Sequence, residues 1–137
     1  MKNFVPLIPI GFAALMSTLM SAHADDRVIS TRSGAQVEFQ IDGSGPAVLM
    51  IASLGRGASD FDDLSRRLVA AGFTAVRPEP RGVGKSTGPM NNITLHDLAA
   101  DDAAVIESLP ARPIIVIGHA YGPVSYTHLT LPTTPYV

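Results

Sequence analysis

The sequence predicts an α/β fold, a partial doubly wound and mostly parallel sheet with an antiparallel hairpin at its N-terminal edge. Three observations carry that expectation. Strand-like runs alternate with helical periodicity from Asp25 onward, the first two runs are parted only by a turn, and the later runs are continuously apolar. Alternating strand and helix patterns imply parallel strands joined by right-handed crossover helices. A strand that is apolar at every position is one covered on both faces.

The elements follow in order. Arg27–Thr31 and Gln36–Ile41 are β-branched or alternating runs with Ser33-Gly34 between them, so they read as a hairpin that Asp42-Gly43-Ser44-Gly45-Pro46 ends. Ala47–Ala52 is a buried strand, and a loop of small residues follows it. Phe61, Leu64, Leu68 and Ala71 recur at helical spacing, with Ser59 or Asp60 as N-cap and Gly72 as the stop. Phe73–Arg77 is the next strand, and Pro78–Asn92 is a loop rich in proline and glycine. Thr94 caps a helix running to Leu109, which places Leu95, Leu98, Val105, Ile106 and Leu109 largely on an apolar side and Asp97, Asp101, Asp102 and Glu107 mostly on a polar one. Ile114–Ile117 is the last strand, after Pro110 and Pro113.

The two ends of the chain stand apart from this pattern. Met1-Lys2-Asn3, an apolar stretch from Phe4 to Met20 and the small-x-small pattern at Ala22-His23-Ala24 are expected to form a signal peptide over residues 1–24, cleaved after Ala24. The rival reading is an uncleaved anchor, for which a span of about 20 apolar residues is needed. A periplasmic or secreted location follows, with no stable membrane association after cleavage. Residues 124–137 lose all charge and crowd threonine with proline. That stretch resembles one reading frame of a transposase adapter used in sequencing libraries, and the expectation is a non-native tail with Gly122 as the last wholly native residue.

With 137 residues there is room for one core. The formal charge of −2 becomes −3 without Lys2, and only Arg66-Arg67 are adjacent basic residues, which gives no footprint for nucleic acid. Without cysteine there are no disulfides, no thiolate metal sites and no cysteine nucleophile. No histidine pair has metal-ligand spacing, so neither metal nor cofactor is expected.

The most informative motif is Gly118-His119-Ala120-Tyr121-Gly122, directly after the apolar run Ile114–Ile117. It has the outline of a G-x-S-x-G nucleophile elbow, in which the chain turns too sharply for bulky neighbours and thrusts the central side chain into the open. Its centre is alanine, which has no atom able to attack a carbonyl carbon.

Two further stretches join it. Ala52-Ser53-Leu54-Gly55-Arg56-Gly57 follows a strand, and Arg77-Pro78-Glu79-Pro80-Arg81-Gly82-Val83-Gly84-Lys85-Ser86 follows the next. In this order the three stretches resemble the oxyanion loop, the P-D-x-R-G-x-G-x-S segment and the elbow of the α/β-hydrolase fold, over about Arg27 to Gly122. The resemblance implies the N-terminal part of such a domain, residues 25–123, and a small-molecule substrate or ligand. It implies oxyanion donors at the backbone N–H groups of Leu54 and Tyr121, with Ala120 in the nucleophile's place. It also implies that the acid and the histidine lie beyond the elbow. On this reading the chain is an inactive portion of an ester-type hydrolase; the alternative is a non-catalytic relative that binds a small apolar ligand or a protein.

Other residues have plainer roles beside any functional one. Ser53 is a pocket candidate, but a loop serine without a paired base, like Ser59, ordinarily caps or turns. Arg56 is a cation near the mouth of the loop, able to attract an acidic substrate or simply solvated. Arg81 braces its loop, His96 faces solvent, and His119 packs beside the sheet. Gly84-Lys85-Ser86-Thr87 imitates the end of a phosphate-binding loop, yet position 79 is glutamate and Gly88-Pro89 forbids the helix such a loop requires.

Overall fold

A computed structural model describes residues 25–110, 113–120 and 122. The expected leader, the expected tail and Tyr121 lie outside the described residues. The chain runs β1 (Asp25–Ser30), β2 (Gln36–Asp42), β3 (Ala47–Ile51), one 3₁₀ turn (Ala58–Phe61), α1 (Asp62–Ala70), β4 (Thr74–Pro78), α2 (Leu95–Ser108) and β5 (Ile114–Gly118). Among the described residues no helix is long and apolar enough to cross a membrane.

Among the described residues the sheet has five strands in the order β1-β2-β4-β3-β5. β1 and β2 form the expected hairpin, and β2 also lies antiparallel on β4. β3 is parallel to both β4 and β5. The chain leaves β3 towards β4 through α1 and returns past β3 to β5 through α2. Right-handed crossovers travelling in opposite directions put their helices on opposite faces.

The core divides accordingly. Ala47, Leu49 and Ile51 of β3 join Val105 and Ile106 of α2 and Leu109 just after it, whereas Val48 and Met50 pack with Phe61, Leu64 and Leu68 on the α1 side. All five residues of β3 are buried. Period-two geometry sends alternate side chains to opposite layers, so a strand between two helices must be apolar throughout.

The capping of the two helices differs. Thr94 accepts from Asp97 N–H while the Asp97 carboxylate takes Thr94 N–H, a reciprocal capping box. α1 begins after Phe61 with no side-chain cap, contrary to the expected Ser59 or Asp60. Both of those residues sit inside the preceding 3₁₀ turn, and Asp60 is held by Arg56 instead.

Candidate functional site

The site lies at the carboxyl ends of the parallel strands, where the crossover direction reverses at β3 and open α/β sheets place their ligands. Three segments meet there: the loop after β3, the loop after β4, and the first half of α2. Together they line a cleft that includes Ser53, Leu54, Glu79, Leu98, Asp101 and Asp102. Its enclosed volume is about 40 Å³, room for a few water-sized groups rather than a whole substrate.

The loop after β3 turns tightly. Arg56 N–H donates to the Ser53 carbonyl at 3.0 Å, and Gly55 takes the positive φ of 74° that such a turn needs. Leu54 is exposed at the turn, and among the described residues no backbone carbonyl takes its N–H. Ser53 is half-buried in the cleft wall. Arg56 stands outside the cleft lining, forked onto Asp60 through two 2.6 Å hydrogen bonds. That pairing, with His119 adding to it, holds the Asp60 carboxyl below its ordinary pKa.

Glu79 fastens this loop to the next, its carboxylate accepting Ala58 N–H at 2.9 Å. Behind it, buried Ser86 accepts from Glu38 N–H and donates to the Glu79 carbonyl. Lys85 donates to Glu38 through both its backbone N–H and Nζ, and these bonds hold the Glu38 carboxyl below its ordinary pKa. The Gly84–Thr87 stretch is thus tied into the protein's own strands, with Thr87 bridging to Gln36 rather than opening a helix.

Arg81 braces its loop from within. It is buried and grips Asp101 in a fork, Nε to Oδ2 at 2.6 Å and Nη2 to Oδ1 at 2.9 Å, and it also donates to the Pro89 carbonyl and Ser33 Oγ. This corrects the reading of α2's polar side, because Asp101 and Asp102 are only 5% and 8% exposed. Asp102 follows Leu98 by four residues and precedes Val105 by three, so helical spacing places it on the apolar stripe itself. The spacing itself is legible in the sequence, although the charge of Asp102 argues for the opposite face. Burial and the neighbouring Asp101 carboxylate push the Asp102 pKa up to about 8.

The elbow keeps its backbone geometry. Ala120 adopts φ 51°, a left-handed conformation unfavourable for an L-residue, and its side chain is exposed. His119 N–H donates to the Ile51 carbonyl, and Gly122 N–H donates to the His119 carbonyl. A Cβ at Gly122 would stand 2.5 Å from the Ile51 carbonyl oxygen, so only glycine lets the chain pass the end of β3 this closely. His119 is exposed rather than packed beside the sheet, because the turn that presents Ala120 carries its neighbour outward as well. His96 is exposed on α2. Among the described residues no group of acids and histidines is placed to hold a metal ion.

Comparison with known proteins places this geometry. The family described as the alpha/beta hydrolase fold matches residues 46–123. The chain is 32% identical over 102 residues to a 2-(acetamidomethylene)succinate hydrolase of Mesorhizobium japonicum, covering 72% of this chain and 36% of that protein. It is 26% identical over 94 residues to a non-heme haloperoxidase of Rhodococcus erythropolis, covering 69% of this chain and 34% of that one. An epoxide hydrolase from an endophytic Streptomyces superposes with a TM-score of 0.70 at 26% identity, covering 80% of this chain and 33% of that structure. The chain spans about a third or less of the curated relatives it matches. It belongs to the alpha/beta hydrolase fold family.

Proposed function

We propose that this chain is the N-terminal part, residues 25–123, of an exported hydrolase-fold protein acting on an ester-like or other small molecule, and that as written it performs no hydrolysis. The observation that carries the reading is the elbow, with Ala120 strained at φ 51° and presenting only a methyl group. The mechanism calls for a nucleophile, a histidine base, an acid to orient it and two oxyanion donors. The backbone N–H groups of Leu54 and Tyr121 are proposed as these donors, a reading supported by the exposed turn at Leu54, whose N–H no described backbone carbonyl takes. Ser53 is a candidate contact within the cleft. Arg56 serves the fold through Asp60, which weakens its candidacy as a substrate-attracting cation.

Ala120 also favours a second reading, a binding protein that uses the same cleft without turnover. The two separate on the intact product of the native locus, assayed with p-nitrophenyl acetate before and after Ala120→Ser. A hydrolase scaffold that lacks only its nucleophile gains at least about 10²-fold in kcat/KM, since a triad is worth far more than its surroundings alone. An unchanged, buffer-level rate in both proteins supports the binding reading. Export is proposed from the leader at residues 1–24, and a mature N-terminus at Asp25 in the extracytoplasmic fraction is the expected result.

A further inference from the structure

The cleft contains one group with no task so far. Asp102 lines it, is 8% exposed, and projects from the apolar stripe of α2. Its neighbour Asp101 is satisfied by the Arg81 fork, and the other bonds of Arg81 go to Pro89 and Ser33, so that each of its nitrogens is engaged away from Asp102. Among the described residues no donor reaches the Asp102 carboxyl, which keeps a small opening to the cleft rather than being sealed from solvent. A buried acid without a partner is costly, and an apolar side chain of similar size in its place is often neutral or stabilising. A polar group held at such cost beside an opening points to a visiting ligand atom.

The surroundings select which kind of atom. Among the described residues the titratable groups lining the cleft with Asp102 are Asp101 on its own helix and Glu79 after β4, while the loop after β3 brings Ala52, Ser53 and Leu54, none of them titratable. Arg81 is not among the lining residues, so among the described residues an anionic ligand would meet acids and no cation. A cationic ligand would require Asp102 to ionise against both its burial and the charge of Asp101. With its pKa raised to about 8, the side chain is mostly neutral at pH 7 and presents an O–H.

We propose that Asp102 is the specificity-determining residue of the cleft, its protonated carboxyl donating a hydrogen bond to a neutral carbonyl oxygen of the ligand, as in an ester, amide or ketone, held against the Ser53–Leu54 loop. The proposal rests on the cleft being the ligand site, as the functional reading has it. Asp102 lies on a rigid helix, and the enclosed space fits one small functional group rather than a whole molecule.

The test uses the full chain labelled with ¹⁵N and three size-matched probes, acetamide, acetate and methylammonium, followed through the Ser53 and Leu54 amide signals at pH 6.5. Acetamide is expected to shift both signals in the wild type and, within about threefold in affinity, in Asp102→Asn, which keeps a donor. Asp102→Leu, which fits the apolar stripe, is expected to weaken acetamide by about tenfold, the worth of one hydrogen bond. Acetate and methylammonium are expected to bind more weakly than acetamide. Equal acetamide binding in Asp102→Leu overturns the assignment of Asp102 and leaves the cleft as a ligand site. Methylammonium binding best and vanishing in Asp102→Asn overturns the neutral-donor chemistry, as does acetate binding best. Failure of all three probes to move either signal in any variant overturns the cleft as a ligand site, and this proposal with it.

Discussion

The two faces of the sheet each bury one arginine paired with an aspartate and set a second aspartate nearby, and they handle that second acid in opposite ways. On the α1 side Arg77, 5% exposed, meets Asp42 and Asp62. The surplus there drains to water, because the Asp62 side chain is 56% exposed, and the residual flaw is an unpartnered Nε on Arg77 itself. On the α2 side Arg81 is fully engaged, and the flaw lies on the acid, Asp102. Two acids to one cation is the same ratio in both places. Solvent access decides whether the extra acid remains a surface charge or keeps its proton, and only the second case leaves a titratable donor facing a cleft.

The strongest way to break this comparison is to remove the cations. Arg81→Met is expected to cost about 3–5 kcal/mol in urea unfolding, because Asp101 is left buried and uncompensated beside Asp102. A loss under about 1 kcal/mol would mean that the Arg81 fork does not brace the fold.

The pH dependence sharpens it next. The folded-state pKa of Asp102, about 8, lies above its ordinary 3.8, so the folded protein holds the proton more tightly than the unfolded chain. Its contribution is fully present below about pH 4 and is lost as pH rises to about 8, with a slope of about 1.4 kcal/mol per pH unit between. Glu38, Asp60, Asp63 and Asp97 are shifted downward, so their contributions change with the opposite sign and below that window. Between pH 5 and 7 the wild type should therefore lose about 3 kcal/mol that Asp102→Asn does not lose. Parallel stability curves for the two proteins would refute the raised pKa.

On the opposite face the effect is smaller. Arg77→Met should cost about 2 kcal/mol, because Asp62 can rehydrate while Asp42 cannot, and the orphaned Nε disappears with the guanidinium. A cost matching that of Arg81→Met would show that solvent access does not separate the two clusters. The smallest expected change is at the elbow, where Ala120→Gly should stabilise by up to about 1 kcal/mol by relieving a left-handed alanine. A loss of stability there would argue against the strained turn.

Much of this was legible beforehand because it depends on neighbours in the chain. The period-two and continuous apolar runs placed every strand to within a residue or two of its observed ends, and Thr94 announced a helix start, to which the structure adds Asp97 as the reciprocal partner of a capping box. The N-cap of α1 was misplaced because Asp60 is claimed by Arg56 four residues earlier, a competition that local propensity does not weigh. Grouping Asp101 and Asp102 by charge hid them from the site, although the spacing from Leu98 to Val105 already put position 102 on the buried stripe.

The sequence by itself determined the element order, the alternating layers and the turn that carries Ala120, since each is set by side-chain period and by glycines over a few residues. Only the tertiary structure decided which acids lose water, that Arg81 serves Asp101 and not Asp102, and that Arg56 faces Asp60 rather than the cleft. The reason is that a charge's state depends on everything within several ångströms of it, and those neighbours arrive from strands and helices far apart in the chain.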